Sequence, residues 1–176
     1  CTSGDTHLCA RLRRLGWVPE RASSPVAWWS APVFCGWGSQ CVLSGRHGGS
    51  PQDHATEQAY DGFVAALAGH GLHPGTVVID DKWQRTYGGW EADPAKWPDL
   101  RGWIDRRHGA GQHVLLWWKA WDPEGVPDEL CVRNRDGLAM GVDPSNPAYE
   151  SWLRECVDRM LGPGGYDADG FKVDFS

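Results

Sequence analysis

The longest apolar stretches of this 176-residue chain run for only a few positions, well short of the roughly 20 a membrane-spanning helix requires. A basic excess is also missing: 17 Lys and Arg face 23 Asp and Glu, a formal charge of −6, which argues against a protein whose main work is neutralising nucleic-acid phosphates or an anionic membrane. The six cysteines (1, 9, 35, 41, 131 and 156) form no CxxC or Cys/His zinc spacing, and their order allows no disulfide pairing to be deduced. The N-terminus has no initiator Met, basic segment or apolar core of a signal peptide. The chain is therefore expected to be processed or a piece of something longer, with its compartment and oligomeric state open. Phe and Tyr are scarce, at four each, whereas tryptophan numbers twelve. Core packing alone draws mainly on Leu, Ile, Val and Phe, so the surplus of flat, amphipathic rings asks for a reason.

Residues 1–30 show weak periodicity and are expected to be a linker or the edge of a preceding domain. From there the pattern sharpens. Pro32-Val-Phe-Cys-Gly-Trp-Gly38 is a short apolar run closed by glycines, and Thr76-Val-Val-Ile-Asp-Asp81 is β-branched and brief, as in strands buried on both faces. His113–Lys119 and Gly170–Ser176 read as two further strands. Helical spacing is found over Ala55–Gly71, from Asp99 (a plausible N-cap) to His108, and over Pro147–Leu161. The segment between Lys119 and Pro147 reads as a loop rich in proline. Four strands alternating with helices predict an α/β fold with a parallel sheet, either doubly wound or half of a (β/α)8 barrel. The first strand-to-helix turn lacks GxGxxG, since Trp37 stands where a pyrophosphate needs bare backbone, so a dinucleotide fold is disfavoured.

In parallel α/β folds functional residues gather at the C-terminal ends of strands. Those ends here carry Trp37, then Asp80 and Asp81, then Trp117, Trp118 and Lys119, and finally Lys172 and Asp174. Indoles pack on pyranose C–H faces and carboxylates grip hydroxyls, so this collection suits a sugar. Lys172 and Asp174 are two apart on a strand and share a face, where the ammonium would keep the carboxylate ionised; a plain ion pair is the bland alternative. Adjacent acids such as Asp80 and Asp81 repel unless a ligand or cation engages them, the alternative being an Asp that caps the next turn. Strand alternation allows only one of that pair, and one of Trp117 and Trp118, to face a ligand unless the strand bends. No metal-binding triad is evident among the seven histidines, and no cofactor is expected.

Four segments in this order, "VVIDDKWQ", "DPAKWPDLRGWIDRRHGAGQHVLLWW", "GVDPSNPAYESWL" and "DGFKVDF", resemble the catalytic barrel of retaining α-glycosidases, glycoside hydrolase families 36, 27 and 31, with α-galactosidases the nearest pattern. The resemblance covers about residues 32–176 and implies that residues 31–176 are the N-terminal half of a (β/α)8 barrel. It implies Asp174 as the nucleophile that forms the glycosyl-enzyme, Lys172 as a hydroxyl ligand beside it, and Asp80 and Asp81 as the acidic pair holding the terminal sugar. Trp37 and one of Trp117 or Trp118 would line its pocket. The expected partner is an oligosaccharide or glycoside, with neither nucleic acid nor membrane. The sequence departs from the pattern at Lys82, where α-galactosidases more often have glycine, and at Trp-Trp-Lys-Ala-Trp after the third strand. An α-glucosidase or other α-hexosidase, or a sugar-binding barrel without catalysis, therefore stays open. A retaining glycosidase also needs a second carboxyl about 5–5.5 Å from the first. In the resembled families it follows the sixth strand, so residues 1–176 alone are expected not to turn over. Asp122 and Asp143 are the nearby candidates and read better as loop acids.

Overall fold

The computed structural model describes residues 11, 14–16 and 26–175. The chain divides into two units, Cys1–Ser30 and Ala31–Ser176. The expectation of a linker over 1–30 falls mostly outside the described residues. Among the described residues of that unit, a 3₁₀ turn, Ala27–Ser30, sets Trp28 and Trp29 edge to face with centroids 6.2 Å apart.

The second unit is built on a parallel sheet. Its strands are β1 (Val33–Cys35), β2 (Thr76–Ile79), β3 (His113–Trp118) and β6 (Gly170–Val173), ordered β1-β2-β3-β6. Every residue of β2 is buried, as its β-branched sequence requires of a strand covered on both faces. The helices are α1 (Trp37–His47), α2 (Glu57–Gly69), α3 (Leu100–Gly109) and α4 (Pro147–Leu161). Each of the last three starts at a side-chain cap: Thr56 accepts from Ala59 N, Asp99 from Gly102 N and Asn146 from Ala148 N. The core lies between sheet and helices, with Val77, Ile79, Val114 and Leu116 packed against Tyr60, Trp103, Ile104 and Met160. Cys156 is buried there as a small apolar residue.

Two elements differ from the sequence expectation. Helix α1 begins directly after β1, over a stretch with two glycines and two serines and no apolar stripe; its buried residue is Gln40. The proline-rich segment after β3 contains an antiparallel hairpin, β4 (Cys131–Arg133) and β5 (Ala139–Val142). Its turn is organised by Asn134, whose Oδ1 accepts from Asp136 N at 3.0 Å and Leu138 N at 2.9 Å. Val126, Leu130, Val142 and Tyr149 form a small satellite core beneath it.

Part of the tryptophan surplus acquires a mechanical explanation. Trp83 donates its indole N–H to Trp117 O at 2.7 Å, Trp97 to Ala55 O at 2.7 Å and Trp103 to Asp61 Oδ1 at 2.8 Å. Each ring fills core volume while its polar edge ties a loop or helix in place, a combination Phe and Leu do not offer.

Candidate active site

The C-terminal strand ends converge on a cleft of about 130 Å³ lined by Trp37, Asp80, Asp81, Trp117, Lys172, Asp174 and Phe175. Lys172, on β6, sends its Nζ to Asp80 Oδ2 at 2.8 Å and reaches Asp174 Oδ2 at 3.6 Å. Burial pushes the ammonium pKa down, but the hydrogen bond to Asp80 and the neighbouring negative charges outweigh it, so Lys172 stays protonated above its ordinary value. Asp174 accepts from the Phe175 backbone N–H at 2.8 Å and from the Trp117 indole N–H at 3.1 Å. These two bonds, with Lys172 close by, hold its pKa below the usual carboxylate value. The result is an ionised, accessible carboxylate flanked by a cation and an indole donor.

Beneath the cleft, the acidic pair is carried by a buried hydrogen-bond relay. Asp80 N–H donates to the Tyr60 hydroxyl at 2.7 Å, which donates to Gln40 Oε1 at 2.9 Å. Gln40 Nε2 in turn reaches Pro51 O at 3.0 Å and Asp81 O at 3.4 Å. Gly36 is required here because a Cβ would overlap the Tyr60 hydroxyl. Asp80 is saturated: Oδ2 takes Lys172 and the Cys35 thiol, at 2.8 Å each, and Oδ1 takes the Asp81 N–H at 2.9 Å. Asp81 is not. Its Oδ2 accepts from Gln52 Nε2 at 3.0 Å, while Oδ1 is buried and accepts no hydrogen bond. Burial drives the Asp81 pKa up, partly offset by Gln52, Tyr87 and Lys82.

Both acids line the cleft because the chain leaves the strand after Ile79 and turns left-handed at Lys82, φ 70°. Of the residues singled out from the sequence, Trp37, Asp80, Asp81, Trp117, Lys172 and Asp174 come together. Trp118 does not join them. It follows Trp117 on a regular strand and faces the opposite side of the sheet, where its ring lies against Phe171 at a 45° tilt with centroids 5.0 Å apart. Asp122 is paired with Lys119 at 2.7 Å, and Asp143 caps the turn at Ser145. Sequence reasoning passed over Cys35, Gln40, Gln52, Tyr60 and Phe175. Only the apolar run around Cys35 and the helical position of Tyr60 gave any signal, and neither distinguishes a site residue from packing.

Among the described residues one group, Asp105, His108 and Asp167, brings three potential metal ligands within 4.8 Å of one another. The Arg101 guanidinium already sits between the two carboxylates, 2.9 Å from Asp105 and 3.4 Å from Asp167. The group lies at the opposite end of the strands from the cleft.

With that geometry in view, the likeness to solved structures is one of fold class first: α-glycosidases that share this sheet-and-helix arrangement. No family model and no curated protein matches the sequence. An α-galactosidase from Thermus thermophilus, solved with stachyose, aligns at TM-score 0.63 and 19% identity over 92% of this chain and 35% of its own. The α-galactosidase of Lactobacillus brevis aligns at TM-score 0.61 and 18% identity, over 82% of this chain and 20% of its own. A family 31 α-xylosidase from Xanthomonas citri aligns at TM-score 0.52 and 15% identity, over 69% of this chain and 15% of its own. The chain thus spans about a third or less of the length of these structures.

Proposed function

We propose that residues 31–176 form the N-terminal half of a (β/α)8 catalytic barrel in a retaining, exo-acting α-glycoside hydrolase, α-galactosidase-like in its substrate. The observation that carries this reading is the convergence on one cleft of an accessible carboxylate, Asp174, with Lys172, Trp117 and a buried acidic pair. Asp174 attacks the anomeric carbon and forms the glycosyl-enzyme, the glycosidic bond breaks, and the leaving oxygen takes a proton from a second carboxyl. Asp80 is committed to Lys172, and the acid is assigned outside residues 1–176. Asp81, which lines the cleft, receives a hydroxyl of the terminal sugar on its carboxylate, and Trp37, half-buried at the cleft, offers an apolar face to the ring.

The test uses the full protein that contains this chain, with p-nitrophenyl α-D-galactopyranoside. Asp174→Ala is expected to abolish hydrolysis, and azide to restore leaving-group release by occupying the vacated space and giving the β-glycosyl azide. Undiminished activity in Asp174→Ala, or an inverted sugar as the wild-type product, overturns the assignment.

A further inference from the structure

Lys82 sits where the backbone disfavours it. Its φ of 70° is a left-handed conformation that glycine adopts freely and a residue with a Cβ does not. Propensity therefore does not explain the lysine; its side-chain contacts do. Its Nζ lies 2.7 Å from Glu124 Oε2 and 3.8 Å from the centre of the Tyr87 ring. Glu124 is a junction: the same Oε2 accepts from Tyr87 N at 2.9 Å, and its backbone oxygen accepts from Gly88 N at 3.0 Å. The loop after β2 is thereby stitched to the loop after β3 at a single residue.

The close approach of the two loops is built in from both sides. A Cβ at Gly88 would overlap Asp122 O, and one at Gly125, φ 83°, would overlap the Thr86 side chain. The backbone at residue 82 is anchored separately, since Lys96 Nζ donates to Lys82 O at 2.9 Å and to Gln52 O at 3.0 Å. What the stitch holds is Tyr87. That ring stands 5.6 Å from the Trp117 ring and beside the Asp81 carboxylate. Trp117 and Asp81 both line the cleft, whereas Tyr87 stands one layer behind them.

We infer that Lys82 and Glu124 form a latch that fixes Tyr87 behind Asp81 and Trp117, and so positions the wall of the cleft that receives the terminal sugar. This rests on reading the cleft as a sugar site. Lys82, Glu124 and Tyr87 are positioning residues: none lines the cleft, and each acts through the two that do. The Asp81 carboxylate, which lines the cleft with Tyr87 beside it, is the group whose placement the latch controls.

The decisive variant is Lys82→Gly in the full protein. It removes the ion pair and the cation–π contact but relieves the backbone, so the melting temperature is expected to hold or rise. The KM for p-nitrophenyl α-D-galactopyranoside is expected to rise about tenfold, with kcat changing less than about threefold. Lys82→Arg, which keeps the charge over the ring, is expected to stay near wild type. The double variant Lys82→Gly, Glu124→Gln is expected to be no worse than the poorer single variant, because both break one unit. A pH profile supplies a readout that simple loosening does not move. The Asp81 carboxylate is faced by Asp80, Lys82, Tyr87 and Lys96, so loss of the Lys82 charge shifts the acid limb of kcat/KM to higher pH. A wild-type KM and an unmoved acid limb in Lys82→Gly overturn the latch. If Asp174→Ala still abolishes hydrolysis, the sugar reading survives that result; if Asp174→Ala is neutral as well, both fall together.

Discussion

One carboxylate at each end of the parallel sheet, Asp169 and Asp81, meets an opposite environment. At the N-terminal end Asp169 is fully engaged: His113 Nδ1 lies 2.6 Å and His108 Nε2 2.9 Å from its oxygens, and Val114 N–H donates at 2.7 Å. Burial pushes its pKa up, but these three bonds outweigh that and leave it below the usual value. At the C-terminal end Asp81 is more deeply buried and has one orphaned oxygen, and its pKa is raised. One end spends its acids on tying β6 to β3 and α3. The other leaves one buried acid, Asp81, short of hydrogen bonds, at a cost to folding stability.

The contrast can be broken experimentally. The largest effect is expected at Asp174, where alanine lowers kcat/KM by about 10⁴-fold or more and leaves the melting temperature near wild type, because the side chain is well exposed. Trp117→Phe comes next. It deletes the indole donor to Asp174 and the N–H…carboxylate geometry with it, and is expected to lower kcat by about tenfold. Trp118→Phe, its neighbour, is expected to leave kinetics alone and cost only about 1 kcal/mol in denaturant unfolding, since the indole N–H it removes is buried without a partner.

Stability against pH sharpens the same comparison. Asp169 has a depressed folded pKa, so its contribution is present above the ordinary carboxylate value and is lost as pH falls through the folded one, below about pH 4. Asp81 has a raised folded pKa, so the cost of ionising it in place appears as pH rises from the ordinary value through the raised one and persists at neutrality. Accordingly Asp169→Asn is expected to lower the melting temperature at pH 7 and flatten the acid limb of the stability profile. Asp81→Asn is expected to raise the melting temperature at pH 7 while weakening glycoside binding. Thermal scans from pH 3 to pH 8 check both signs.

The strands of the sheet, α2, α3 and α4 were legible because they bury apolar residues with a clear period and start at Thr56, Asp99 and Asn146. Helix α1 was not, because its contribution is polar: Gln40 is there to brace Asp80 and Asp81, and a buried amide leaves no mark in a hydrophobic pattern. The hairpin escaped for a related reason, its strands being too short for alternation to register. At the site, strand-end position sufficed to find Trp37, the acid pair and the Lys172–Asp174 pair. Which of Trp117 and Trp118 faces the cleft depended on register alone, and the entry of both Asp80 and Asp81 depended on a left-handed turn that a lysine does not advertise.

The bond between the Trp117 indole and Asp174 has one more consequence. An indole N–H that donates to a carboxylate feels its charge, and that charge vanishes when the carboxylate becomes a glycosyl ester. On the proposed mechanism Asp174 therefore carries its own optical probe. Stopped-flow emission of the full protein, compared with Trp117→Phe, is expected to report formation and breakdown of the proposed covalent intermediate without any label.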